Sequence, residues 1–159
     1  MYYKKEICEL LKAQGLSFEY YEHPPLVTMA DEEQAMLPYF EELAKNVFAS
    51  DDKRRDYFLI SVRGNGRIDL KAIGAPWGYR HLRMASEQEL SEKLGVISGA
   101  VSPLSLLNGD ARSIRFFIDP RFEEGFILLH PNDNTATICM NAADLLRLLS
   151  EQGCEIHRF

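Results

Sequence analysis

Three short stretches carry residue types and spacings that could do chemistry. In Ala44-Lys45-Asn46-Val47-Phe48 a lysine and an amide interrupt an otherwise apolar strand pattern. Alternation puts Lys45 and Val47 on one face and Asn46 and Phe48 on the other. An ammonium that projects into a cleft is a compact cation suited to a phosphate or a developing anion; the same lysine also suits a solvent-facing position. In Gly99-Ala100-Val101-Ser102-Pro103 a glycine and a proline bracket a GxxxP loop. Glycine admits close approach of backbone to a ligand and proline stiffens the exit, so the loop N–H groups suit an oxyanion site. Ordinary loop punctuation has the same composition. In Leu129-His130-Pro131-Asn132-Asp133-Asn134-Thr135 a histidine sits where a strand meets a turn, a rigid support for a functional side chain. A lone histidine is equally a structural residue, and no orienting carboxylate is assigned to it from sequence.

The familiar catalytic signatures are missing: no GxSxG elbow, no HExxH, no paired-carboxylate motif and no phosphate-binding glycine loop. Cys8, Cys139 and Cys154 are far apart and odd in number, which suggests neither a disulfide framework nor a zinc site. No metal or cofactor is expected. The formal net charge of −6 counts against nonspecific binding to DNA or RNA, because Lys and Arg supply most of that affinity. Any RNA contact must be local, and the small basic groups Lys53-Arg54-Arg55 and Arg80, His81, Arg83 also read as solvated surface. No apolar run approaches the roughly 20 residues that cross a bilayer, and Met1–Glu6 leads into a polar pattern without an apolar signal core. A cytoplasmic protein without membrane contact is expected.

The elements that must position these stretches follow from periodicity. At 159 residues, with 46% hydrophobic and 26% charged residues and no visible linker, one domain over 1–159 is expected. Ile7, Leu10, Leu11 and Gln14 predict an amphipathic helix ending at Gly15. Ser17–Tyr21 reads as a strand, and His23-Pro24-Pro25 forces a turn before a helix capped by Thr28 and limited by Pro38. Strands are predicted at Ala44–Ala49 and Tyr57–Val62. The second would form a hairpin with Arg67–Leu70 across Arg63-Gly64-Asn65-Gly66. Ser86 and Glu89 form a capping box, with Ala85 and Leu90 as a staple and Gly95 as the stop. Further strands are expected at Ile114–Asp119, Phe126–Leu129 and Thr135–Met140, then a helix from Asn141 to Gly153 with Leu145, Leu148 and Leu149 inward. The class is mixed α/β without the regular alternation of a doubly wound sheet.

In combination these stretches resemble the YbaK-like aminoacyl-tRNA deacylases, the superfamily that includes the editing insertion of bacterial prolyl-tRNA synthetase. The resemblance runs from the helix before Gly15 through Glu22-His23-Pro24-Pro25, Lys45-Asn46, Arg67-Ile68-Asp69-Leu70-Lys71 and the GxxxP loop. It continues to His130–Thr135 and Ala142-Ala143-Asp144-Leu145-Leu146. Lys-Asn and His-Pro-x-x-x-Thr look most similar to free-standing alanyl-tRNA(Pro) deacylases. A departure occurs at Gly74-Ala75-Pro76-Trp77-Gly78-Tyr79, where relatives carry a short alanine- and leucine-rich helix.

The resemblance implies a mixed, largely antiparallel, curved and barrel-like sheet surrounded by helices. It also implies a hydrolase that clears mischarged tRNA, most simply alanyl-tRNA(Pro), with cysteinyl- or seryl-tRNA, or a noncatalytic tRNA- or synthetase-binding module, as alternatives. Its partners would be the acceptor end of mischarged tRNA and prolyl-tRNA synthetase. Lys45 would anchor the phosphate of the 3′-terminal adenosine and Asn46 would order the cleft. Gly99 and Ala100 would offer backbone donors to the ester carbonyl in the loop completed by Ser102 and Pro103. His130 and Leu129 would shape the amino-acid pocket, with Val47 and Val101 as further walls. The nucleophile would be water, assisted by the adenosine's own hydroxyl.

Overall fold

A computed structural model describes residues 1–64, 67–110 and 112–159. The helices are α1 (Lys4–Ala13), α2 (Met29–Gln34), α3 (Leu70–Gly74), α4 (Glu87–Leu94) and α5 (Ala142–Glu151). The strands are β1 (Phe18–Glu22), β2 (Ala44–Asp51), β3 (Tyr57–Arg63), β4 (Leu82–Met84), β5 (Ile114–Ile118), β6 (Phe126–Leu129), β7 (Ala136–Asn141) and β8 (Glu155–Arg158). A three-stranded sheet has the order β1-β7-β6 and a five-stranded sheet the order β4-β2-β3-β5-β8. The pairs β1–β7, β6–β7, β2–β3 and β2–β4 are antiparallel, whereas β3–β5 and β5–β8 are parallel. A parallel bridge, Leu43 to Leu128, ties the sheets together. The expected mixed, largely antiparallel sheet with helices around it is present, although the two sheets do not close into one barrel among the described residues.

Helix ends follow the local chemistry. The Ser86 hydroxyl accepts the Glu89 N–H while the Glu89 carboxylate accepts the Ser86 N–H, and Gly95 ends α4 at φ 65°. Thr28 and Asp31 make the same reciprocal pair at the start of α2. That helix stops at Gln34, short of Pro38, where Met36 and Tyr39 take left-handed conformations. Asn141 caps α5 through the Ala143 and Asp144 N–H groups.

The inner faces of the two sheets, α1, α4 and α5 enclose the main core. Ile7, Leu11, Phe116, Ile138 and Leu145 are fully buried within it, each contributing on the order of 1.5–3 kcal/mol relative to exposure. The outer face of the five-stranded sheet carries Phe58, Ile60 and Phe117, covered by Ile73, Trp77 and Tyr79. On the outer side of β6 and β7, Leu128 and Cys139 pack with Leu43, Met29, Leu37 and Phe40.

The expected hairpin between Tyr57–Val62 and Arg67–Leu70 does not form. The antiparallel neighbours of β3 lie in β2, and Asp69 instead caps α3 by accepting the Ala72 N–H at 3.2 Å. The proposed turn at Asn65-Gly66 lies outside the described residues. The segment Gly74–Tyr79 closes α3 and continues as a 3-10 turn over Ala75–Trp77, with Gly78 left-handed at φ 83°. Trp77 anchors this cover, its ring 4.3 Å from the Arg115 guanidinium and 4.7 Å from the His157 ring.

Candidate functional site

Strand β2 separates the three residues expected to act together. Asn46 faces the core side with Phe48 and opposes Ser61, whose hydroxyl donates to Asn46 Oδ1 at 2.5 Å. Lys45 opposes Val62 on the other face and is half-buried. It makes no hydrogen bond or ion pair with the described residues, so its ammonium is available to a ligand. Val47 shares that face and is buried. Leu43 and Leu128 form the parallel bridge, and Lys45 and His130 each stand two residues beyond it. Alternation therefore sends both side chains toward the side that Leu43 and Leu128 occupy.

His130 is only 7% exposed. Its Nδ1–H donates to the Ala136 carbonyl at 2.7 Å, which fixes that proton, because a carbonyl can only accept. Its Nε2 lies 2.6 Å from Glu32 Oε1. Burial disfavours the charged ring, yet the Glu32 hydrogen bond and charge outweigh that effect and raise the His130 pKa above its ordinary 6.5. The Thr137 hydroxyl lies 2.7 Å from His23 Nε2, and the two histidine rings meet edge to face at 6.0 Å. Leu129 beside them is buried in the core. Nothing in the local sequence marks Glu32, Thr137 or His23 as parts of this network. Glu32 reads as one of three acidic residues at a helix start, and only the fold brings it to His130.

The turn after His130 is held from within. Asn132, left-handed at φ 62°, accepts the Ser105 hydroxyl and donates to the Tyr2 and Leu104 carbonyls. Burial would raise the Asp133 carboxyl, but hydrogen bonds from the Thr135 hydroxyl and N–H hold it below the usual range. The Leu26 N–H donates to Asn134 O and the His23 N–H to Thr135 O, both at 3.0 Å. These bonds fasten the segment leading into α2 onto the turn.

The GxxxP loop meets the same segment. A Cβ on Gly99 would lie 3.3 Å from Asn134 Nδ2, 3.4 Å from Leu26 O and 3.5 Å from Val27 Cα, so the loop packs closely on this segment. Ser98–Ala100 form a 3-10 turn in which the Ala100 N–H donates to Ile97 O at 2.9 Å. That N–H is committed, whereas the Ser98 and Gly99 N–H groups precede the turn's first bond and have no acceptor within it. Val101 and Ser102 are buried. Ser102 Oγ accepts the Leu104 N–H, and the Ser102 N–H donates to Ser105 Oγ. Pro103 starts the following 3-10 turn, so Val101–Pro103 brace the loop from beneath. A cavity of about 390 Å³ lies between this loop and the turn, lined in part by Ile97, Ala100, Asn132, Asp133 and Asn134.

The structure thus brings Gly99, the His130–Thr135 turn and the approach to α2 into one place. Lys45 stands on the neighbouring strand, and Asn46 faces the other way. Burial pushes the Cys139 and Cys154 thiols up to about 11, which keeps them protonated at neutral pH. Among the described residues no group of three His, Cys, Asp or Glu could hold a metal ion. No helix among them is long and apolar enough to cross a membrane.

Residues 23–148 match the aminoacyl-tRNA editing domain family. The chain is 28% identical over 151 residues to the prolyl-tRNA editing protein ProX of Acetoanaerobium sticklandii, covering 94% of this chain and 92% of that protein. It is 36% identical over 155 residues to prolyl-tRNA synthetase associated domain-containing protein 1 of Danio rerio, covering 93% and 82% respectively. A crystal structure described as a candidate trans-editing enzyme for prolyl tRNA synthetase superposes with a TM-score of 0.72 at 20% identity, covering 97% of this chain and 94% of that one. This last likeness concerns the fold.

Proposed function

The chain belongs to the aminoacyl-tRNA editing domain family, and from that premise we propose that it is a trans-acting deacylase for mischarged tRNA(Pro), with alanyl-tRNA(Pro) as its substrate. Membership makes it an aminoacyl-tRNA deacylase, a carboxylic ester hydrolase. The relatives named for prolyl-tRNA editing and for association with prolyl-tRNA synthetase support tRNA(Pro) as the RNA and the synthetase as a partner. Work on charged tRNA in turn supports a cytoplasmic location.

The observation that carries the reading is the packing of Gly99 against Leu26, Val27 and Asn134, with the Ser98 and Gly99 N–H groups making no bond within the turn. Such a site suits stabilisation of a developing oxyanion while water attacks. In this account the Gly99 N–H, with that of Ser98 in place of the committed Ala100 N–H, faces the ester carbonyl. Lys45 holds the phosphate of the terminal adenosine, and the adenosine's own hydroxyl assists the water. His130 sets the shape of the amino-acid pocket, with Leu129 and Val101 packed in the core behind it and Val47 buried on the Lys45 face. Asn46 orders β2 through Ser61, and Ser102 and Pro103 fix the loop.

Size decides the substrate. A synthetic site built for proline cannot exclude alanine strongly, because a methylene is worth only about 1–3 kcal/mol in a hydrophobic pocket. A second, smaller hydrolytic pocket admits alanine and rejects proline by overlap. Rates of deacylation of alanyl-, cysteinyl-, seryl- and prolyl-tRNA(Pro) test the proposal, with alanyl expected fastest and prolyl spared.

A further inference from the structure

Glu32 is 7% exposed, and its two carboxylate oxygens have different environments. Oε1 lies 2.6 Å from His130 Nε2, while Oε2 is buried and no hydrogen-bond donor among the described residues reaches it. A buried carboxylate oxygen without a donor is costly, and its complement is an N–H or O–H group, best one with positive charge. The carboxylate belongs to the segment that packs on the GxxxP loop. Val27 lies against Gly99, and the next residue, Thr28, accepts the Glu32 N–H through its carbonyl at 3.1 Å.

If the Gly99 loop holds the ester carbonyl, the group that must lie near this segment is the α-amino group, which is bonded to the carbon next to that carbonyl. We propose, resting on the deacylase reading above, that Glu32 recognises the free α-amino group of the aminoacyl ester, Oε2 accepting its N–H while Oε1 stays bound to His130. The ribose hydroxyls are neutral donors and sit on the far side of the ester bond, so they match the carboxylate less well. The recognition carries a selectivity of its own. An α-nitrogen acylated as in peptidyl-tRNA has lost its positive charge and gained a bulky substituent, so the pocket spares chains under synthesis while accepting single amino acids.

The test compares alanyl-tRNA(Pro) with N-acetylalanyl-tRNA(Pro), using wild type and Glu32→Gln. Each rate is divided by that substrate's spontaneous hydrolysis, because the ammonium activates its own ester. Glutamine can still hydrogen-bond a neutral His130, and a thermal melt reports whether the variant folds. Wild type is expected to accelerate the free-amino ester at least about tenfold more than the acetylated one, the scale of a hydrogen bond to a charged group. Glu32→Gln is expected to remove that preference, lowering the free-amino rate far more than the acetylated rate. Equal acceleration of both esters by wild type overturns the inference and leaves the deacylase reading standing. Equal loss on both esters in Glu32→Gln also overturns it, assigning Glu32 to structure alone. Acceleration of neither ester by wild type overturns the deacylase reading and this inference with it. Should the variant fail to fold, the wild-type comparison decides by itself.

Discussion

His130 Nε2 and Glu32 Oε1, 98 residues apart in the chain, meet at 2.6 Å in a buried ion pair that joins α2 to the end of β6. Glu32 raises the His130 pKa above 6.5 despite burial. For a histidine so shifted, the stabilisation is complete below the unfolded value near 6.5 and is lost as pH rises through the folded value. The melting temperature is therefore expected to fall as pH rises from 6.5, and Glu32→Gln is expected to flatten that slope. Parallel thermal melts of both proteins across this range check it.

Lys45→Ala separates binding from folding. Lys45 is half-buried and makes no hydrogen bond or ion pair with the described residues, so its loss is expected to change stability by less than about 0.5 kcal/mol, as at ordinary surface positions. Deacylation is expected to fall at least about tenfold, equivalent to about 1.4 kcal/mol of lost transition-state stabilisation. Unchanged turnover in a folded variant contradicts the assignment of Lys45.

Gly99→Ala probes the loop. The added Cβ would stand 3.4 Å from the Leu26 carbonyl, a backbone atom that yields less readily than the Asn134 amide at 3.3 Å. Only the Asn134 amide, the end of a side chain, must give by a few tenths of an ångström, so the variant is expected to lose less than about 1 kcal/mol of stability and to lower kcat through crowding of the loop N–H donors. Single-turnover rates alongside denaturant melts separate the two effects.

A contrasting prediction concerns Glu89, a buried residue of α4 bonded to Tyr57 of β3 and Arg83 of β4. The Arg83 guanidinium, with Tyr57 and Ser86, holds its carboxyl far below the usual range, and it is 4% exposed. A depressed carboxylate contributes stability above its unfolded pKa and loses it as pH falls. Glu89→Gln is expected to lower stability at neutral pH by weakening the bonds from Arg83, Tyr57 and Ser86. It is also expected to weaken the dependence of stability on acid, with kcat unchanged. Acid titrations of the two folded proteins, followed by circular dichroism, test this.

What was legible in the sequence was local. The Ser86–Glu89 capping box, the Asn141 cap and the apolar stripe of Ile7 and Leu11 each follow from contacts within a few residues, and the structure contains them all. The hairpin at Arg67–Leu70 failed because Asp69 competes as a helix cap, and a cap and a turn share the same residue types. Strand β4, Leu82–Met84, is too short to show a period, and Glu155–Arg158 becomes a strand only by lying parallel to β5. At the site, Gly99 and His130 are visible as punctuation, but the partners that give them meaning are not. Asn134, Leu26 and Glu32 reach them across the fold, and the commitment of the Ala100 N–H to Ile97 depends on a 3-10 turn that GxxxP does not specify.

The proposed hydrolytic pocket discriminates by amino-acid size on tRNA(Pro). Its most direct test is the single-turnover rate of deacylation of alanyl-tRNA(Pro) beside prolyl-tRNA(Pro) at saturating protein. Alanine is expected to be lost rapidly from the first, and the prolyl ester to decay no faster than it does without protein. Comparable hydrolysis of both, or of neither, contradicts it.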